Sequence, residues 1–132
     1  MGQQQLLLIV LGAIIVGIAV VVGINMMGDA ANQANVDAVR QDILTLASSA
    51  QQWYQKPAMM QGGNHSYVGL DFDEISFPID SVDNTAETAW NANGVYSISA
   101  QNDSTFTVDA TAETAGESFT VVIDREGNPT WQ

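Results

Sequence analysis

The sequence predicts an α+β protein: a long apolar N-terminal helix continues into an amphipathic helix, and that second half packs on a small C-terminal antiparallel β-sheet. Three observations carry this expectation. The first 28 residues contain no Lys, Arg, Asp or Glu. Apolar residues then recur at steps of three and four from Val36 to Trp53. Beyond Pro57 the composition shifts to Gly, Asn, Ser, Thr and β-branched residues in alternating runs. The chain divides accordingly into residues 1–28, an apolar transmembrane or filament-core helix; 29–56, the amphipathic continuation; and 57–132, an acidic β-rich body.

The first element is the run Leu6-Leu7-Leu8-Ile9-Val10-Leu11-Gly12-Ala13-Ile14-Ile15-Val16-Gly17-Ile18-Ala19-Val20-Val21-Val22-Gly23-Ile24. At helical rise this spans roughly 28 Å, the hydrocarbon thickness of a bilayer. Its aliphatic residues lie on every side of the helix, so it needs apolar surroundings all round, which lipid or a bundle of sibling helices supplies. A secretory signal would have a basic start and a shorter apolar core. Here the start, Met1-Gly2-Gln3-Gln4-Gln5, is uncharged, and a helical pattern continues past the Asp29-Ala30-Ala31 segment that would have to be cut. The run is read as retained.

The second element is a stripe of Val36, Val39, Ile43, Leu46, Ala50 and Trp53, widened by Leu44, Ala47 and Tyr54. This is one helix face, and it requires a partner surface. Pro57 ends the helix, since its ring disfavours helical geometry at Lys56 and it has no amide hydrogen to donate. No Pro precedes it, so apolar and amphipathic halves can form one rod of about 80 Å. Gly12, Gly17, Gly23 and Gly28 weaken that rod by up to about 1 kcal/mol each relative to Ala. The four-residue pairs Ala13/Gly17 and Ala19/Gly23 also suit close helix–helix approach.

In the body, Val95–Ala100, Thr105–Ala110 and Ser118–Asp124 alternate as strands, separated by Gln101-Asn102-Asp103-Ser104 and by the Glu113–Glu117 segment. A short strand around Thr130-Trp131 follows the Glu126-Gly127-Asn128 turn. Gly62-Gly63-Asn64 reads as a loop. Within residues 67–90, Tyr67–Phe72 is expected to be extended and Thr85–Asn91 to form a helical turn. A half-polar sheet has one apolar face, and the Val36–Trp53 stripe is the element available to cover it.

Charge is unevenly placed. Residues 1–56 carry Asp29, Asp37 and Asp42 against Arg40 and Lys56, whereas residues 57–132 carry twelve acids against Arg125 alone, within a whole-chain net charge of −12. An anionic body repels phosphates and anionic lipid heads, so nucleic acid is not an expected partner. The chain has no Cys, which excludes a disulfide and CxxCH haem attachment.

No catalytic constellation emerges. His65 is the only histidine and lies in a polar loop, and HExxH, GxSxG and Gly-Lys phosphate-binding motifs are missing. The sequence reads as non-enzymatic and without a resident cofactor. Clustered carboxylates at Asp71, Asp73 and Glu74, or at Asp80 and Asp83, are candidates for calcium, although EF-hand spacing is absent and solvated acidic loops explain the same residues. Asn64-His65-Ser66 and Asn102-Asp103-Ser104 match the N-glycosylation sequon.

This layout resembles type IV pilins and the related pseudopilins, in which a hydrophobic helix and its amphipathic continuation carry a C-terminal antiparallel sheet. Gly2 followed by Gln3 and the apolar run resembles a prepilin-peptidase site, which implies a mature chain starting at Gln3. The family's Glu five residues into the mature chain is replaced here by Leu7, its basic leader and frequent C-terminal disulfide are missing, and Gln3, Gln4 and Gln5 offer amide hydrogen bonds instead. The resemblance implies a subunit held first in the cytoplasmic (inner) membrane, body outside, then passed by prepilin peptidase and pilus assembly machinery into a helical filament of identical subunits at the cell surface. Two other readings stay open: a non-polymerising membrane-anchored protein with an extracytoplasmic binding domain, and a secretion-system pseudopilin forming a short piston.

Overall fold

The computed structural model describes residues 2–132. A single helix, α1 (Gly2–Gln55), is followed by a 3-10 turn at Ala58–Met60 and six strands: β1 (Ser81–Val82), β2 (Thr88–Trp90), β3 (Gly94–Ser99), β4 (Thr105–Ala112), β5 (Ser118–Asp124) and β6 (Pro129–Trp131). The strands form one antiparallel meander in sequence order. The α+β architecture is thus the expected one, and α1 runs unbroken through all four of its interior glycines.

From Gly2 to Ala34 the helix is exposed, with only Gly23 intermediate; from Asn35 onward one face is buried. All six stripe residues lie inside, with Val39, Ile43, Leu46 and Ala50 fully enclosed. Of the residues expected to widen the stripe, Ala47 is buried and Tyr54 half-buried, but Leu44 is exposed, because it sits about 100° around the helix from Ile43. The sheet answers with alternate residues: Tyr96 and Ile98 from β3, Phe106, Val108 and Ala110 from β4, Val121 and Ile123 from β5. Their neighbours on the opposite face are mostly polar, Val95 and Val122 excepted, and Asp109 there accepts hydrogen bonds from Ser99 Oγ (3.1 Å) and Thr120 Oγ1 (3.0 Å) on the two flanking strands.

Gly94 is required within β3. A Cβ there would run into the carbonyl of Thr111 on β4, so the strands close tightly at that end.

Residues 67–90 depart from expectation. Tyr67–Phe72 is a series of turns, not a strand, and Thr88–Trp90 is a strand, not a helical turn. Tyr67, Leu70, Phe72, Ile75 and Phe77 anchor this segment into the core at alternating steps of three and two, a spacing that fits neither a helix face nor a strand face. Asp83 sets the turn into β2: its carboxylate accepts Thr85 Oγ1 (2.9 Å) and the Glu87 amide (3.1 Å), and its backbone pairs with Thr88.

At the C-terminal end of α1 the chain folds back and caps the last turn itself. The amides of Gly63, Asn64 and His65 donate to the carbonyls of Trp53 (2.9 Å), Lys56 (2.9 Å) and Tyr54 (2.8 Å). Helix-end carbonyls that would otherwise lack donors are satisfied this way, without a glycine C-cap.

Candidate functional site

The most conspicuous surface is the free part of α1. Its large aliphatic residues are between 50% exposed (Val22) and 69% exposed (Leu7), a state water does not tolerate for so long a segment. It is the one helix among the described residues long and apolar enough to cross a membrane. A Cβ added at Gly12, Gly17, Gly23 or Gly28 would meet nothing within 4 Å, so room for an approaching helix backbone is open at each. At about 100° per residue, Gly12, Ala19, Gly23 and Ala30 fall along one side of the rod. Gly2 and Gln3 occupy its exposed first turn. Exposure does not stop where a bilayer would: Met26 and Met27 are 66% and 75% exposed, and the helix continues for a further two turns before it meets the sheet.

The body is locked to this rod by polar side chains that the stripe alone does not reveal. Asn35 bridges two turns at the near pole of the sheet, donating to the Asn93 carbonyl (2.9 Å) and accepting from the amides of Thr114 (3.0 Å) and Ala115 (3.1 Å). Two helical turns on, a single carboxylate oxygen of Asp42 receives three donors: Tyr96 Oη (2.6 Å), Asn93 Nδ2 (2.8 Å) and Asn91 Nδ2 (3.1 Å). Another two turns on, Ser49 Oγ donates to the Ser76 carbonyl (2.7 Å). Asn35, Asp42 and Ser49 each precede a buried residue, Val36, Ile43 or Ala50, so a seven-residue polar repeat runs along the flank of the apolar stripe. That repeat is the signal by which the clamp is detectable. Farther along, Gln51 Nε2 reaches the Glu126 carbonyl (2.9 Å) at the opposite pole.

Arg40, on another side of the helix, lies 5.6 Å from the Phe119 ring centre and 5.9 Å from that of Trp131, pinning edge strand β6 by cation–π contact.

Two tyrosines in this core resist ionisation. Burial, then the neighbouring Tyr54 and Asp124, pushes Tyr67 up to about 12; burial, then the hydrogen bond and charge of Asp42, raises Tyr96 also. An unfolded tyrosine loses its proton near pH 10, while the folded chain retains it. The contribution is therefore complete below about pH 10 and lost above it, at up to about 1.4 kcal/mol per pH unit for each tyrosine. Urea midpoints are expected to stay level from about pH 8 to 9.5 and fall steeply toward about pH 11, with a shallower fall in Tyr67→Phe. Equal alkaline slopes in the two proteins would contradict this.

The remaining sequence candidates have local roles. Asp71 Oδ1 accepts the amides of Asp73 and Glu74 (both 3.1 Å) in a turn, and its acidity is weakened chiefly by burial. For Asp83 burial acts in the same sense, but the donors from Thr88, Thr85 and Glu87 outweigh it and hold the carboxyl below its ordinary value. Asp71, Asp73, Glu74, Asp80 and Asp83 are thus spread along turns, and no group of three or more His, Cys, Asp or Glu side chains suited to a metal occurs among the described residues. His65 is exposed, edge-on to Tyr54 at 5.5 Å. Comparison with protein families, characterised proteins and solved structures returned no match to this chain.

Proposed function

We propose that this protein is a structural subunit of an extracellular, type IV pilus-like filament, polymerising through residues 3 to about 56. The observation that carries the reading is a fully exposed apolar helix continuing without a break into a helix locked to a folded body. Placing the apolar run in water would cost several tens of kcal/mol, at roughly 1.5–3 kcal/mol for each large aliphatic side chain. Exchanging lipid for sibling helices removes almost none of that burial, so a subunit can pass from bilayer to polymer at small cost. An anchor alone needs about 20 apolar residues. The exposed Met26, Met27, Ala30 and Ala31 beyond that length favour contact with neighbouring rods over simple anchoring. In such a filament the acidic sheets face outward, and the chain acts as a building element with no catalytic step.

Electron microscopy of sheared surface material, with mass spectrometry of its first residue, tests this. The expected result is fibres of this chain beginning at Gln3. Detergent-soluble monomers and no fibres would instead establish the anchored-domain reading, and loss of protein export on deletion would favour a pseudopilin.

The anionic bodies make a second expectation. Their mutual repulsion is screened over about 3 Å at 1 M salt but extends to about 30 Å at 0.01 M. Fibres are expected to persist at about 1 M and to shorten or dissociate on dialysis to about 0.01 M. Fibre length indifferent to salt would show that the acidic faces do not approach one another.

A further inference from the structure

Both glycosylation sequons lie at one pole of the body, the pole farthest from the apolar rod. Asn64 follows the chain reversal that caps the end of α1, and Asn102 lies in the turn between β3 and β4. The two loops are bonded to each other: Ser66 Oγ of the first sequon donates to Asp103 Oδ1 of the second (2.8 Å), and the Tyr67 amide donates to the Asn102 carbonyl (3.2 Å). Residues 38 apart in sequence are thereby brought side by side.

Each asparagine is presented as an acceptor. Asn64 and Asn102 are exposed. Asn64 and His65 both have left-handed backbone (φ 50° and 64°), and their amides bond to the end of α1 while the Asn64 side chain stays exposed. The Asn64 side chain makes no hydrogen bond among the described residues. Asn102 uses only its oxygen, which accepts the Ser104 amide (3.0 Å), the Ser104 hydroxyl (3.3 Å) and the Thr105 amide (2.8 Å). Its Nδ2 makes no hydrogen bond among the described residues. A fold that needed these amides for itself would bury or bond them, as it does with Asn35, Asn91 and Asn93.

We infer that Asn64 and Asn102 are a paired N-glycosylation site that places two glycans on the distal pole of the exported body. The donor is a polyisoprenyl-phosphate-linked sugar. The bond from sugar C1 to phosphate oxygen breaks, a bond from C1 to asparagine Nδ2 forms, the lipid phosphate leaves with the electron pair, and the amide loses one proton. This rests on the exported placement of the body under the proposed function but not on polymerisation, since a membrane-anchored chain would present the same pole.

The test is glycopeptide mass spectrometry of the full chain recovered from whole envelopes of the cell that makes it, so that it reads out whether or not fibres form. The expected result is a sugar mass on both the Asn64 and Asn102 peptides, shifting to neither in Asn64→Gln/Asn102→Gln. Ser66→Ala and Ser104→Ala should each remove the sugar from their own peptide, whereas Ser66→Thr and Ser104→Thr, which keep the hydroxyl, should retain it. Either asparagine unmodified in most of the chain, sugar that survives the alanine variants, or sugar found only on Ser and Thr of the outer sheet face would overturn the inference. Fibres with bare asparagines would refute it while leaving the filament reading intact.

Discussion

Replacing Ile15 with Asp is expected to remove the protein from both the membrane and the filament fraction. Ile15 lies at the centre of the uncharged run and is 58% exposed on the isolated rod. On insertion scales an aspartate at a helix centre is unfavourable by about 2.5–3.5 kcal/mol while isoleucine is favourable by about 0.3–0.6, a change of two to three orders of magnitude in partitioning. Assembly offers no refuge, because a rod surrounded by identical rods encloses the same unpaired carboxylate, and every subunit carries the defect. Pelleted fibres should fall below detection and the chain should collect as aggregate or degraded material. Ile15→Val keeps the apolar surface and should assemble normally. Gln52→Glu adds the same charge on an exposed part of α1 next to the body and should also assemble. Normal fibres from Ile15→Asp would mean the rod is not the assembling surface, and no version of the proposed function would survive that.

Which parts of this molecule its sequence discloses depends on whether the determining contacts are periodic. The apolar run is legible because hydrophobicity on all sides admits few environments. The stripe is legible because helical spacing fixes which side chains share a face, and all six of its residues are buried. Strands β3, β4 and β5 begin and end within two residues of their expected limits, because alternation survives wherever one face is wet and the other dry. Between residues 67 and 90 no such regularity exists. The Ala- and Glu-containing stretch before Trp90 suits a helical turn locally, but Asp83 and pairing with β3 hold it extended. Aromatic character alone does not disclose burial: Trp90 and Trp131 are 41% and 42% exposed, one on the outer face and the other on an edge strand against Arg40. The clamp on Asp42 was hidden for another reason. Its polar repeat is visible along the helix, but its partners lie about fifty residues away in loops whose position depends on the finished sheet.

Asp42→Ala should be the most damaging single change to the folded body. Three donors converge on one carboxylate oxygen, and one of them, the Tyr96 hydroxyl, belongs to a fully buried residue. A hydrogen bond to a charged acceptor contributes about 1.5–3 kcal/mol, and a buried donor left unpaired carries its whole desolvation penalty. The three effects are coupled through one atom and do not add in full, so a loss of about 3–5 kcal/mol is expected. Against a total of about 5–15 kcal/mol for a small domain, this brings the body close to unfolding and lowers its Tm by about 15 °C or more. Asp42→Asn preserves shape and one acceptor and should lose roughly half as much. Tyr96→Phe removes a donor together with its demand for a partner, so Asp42→Ala should be less harmful in the Tyr96→Phe background than alone; strict additivity would mean that the hydroxyl does not depend on Asp42. The two principal variants should also fail in opposite ways. Ile15→Asp blocks insertion and assembly without removing a contact of the body, whereas Asp42→Ala leaves a rod that still enters the membrane but carries a body sensitive to protease. If Asp42→Ala altered membrane insertion as strongly as Ile15→Asp does, rod and body would not be the separable parts that an exchange of lipid for sibling helices requires.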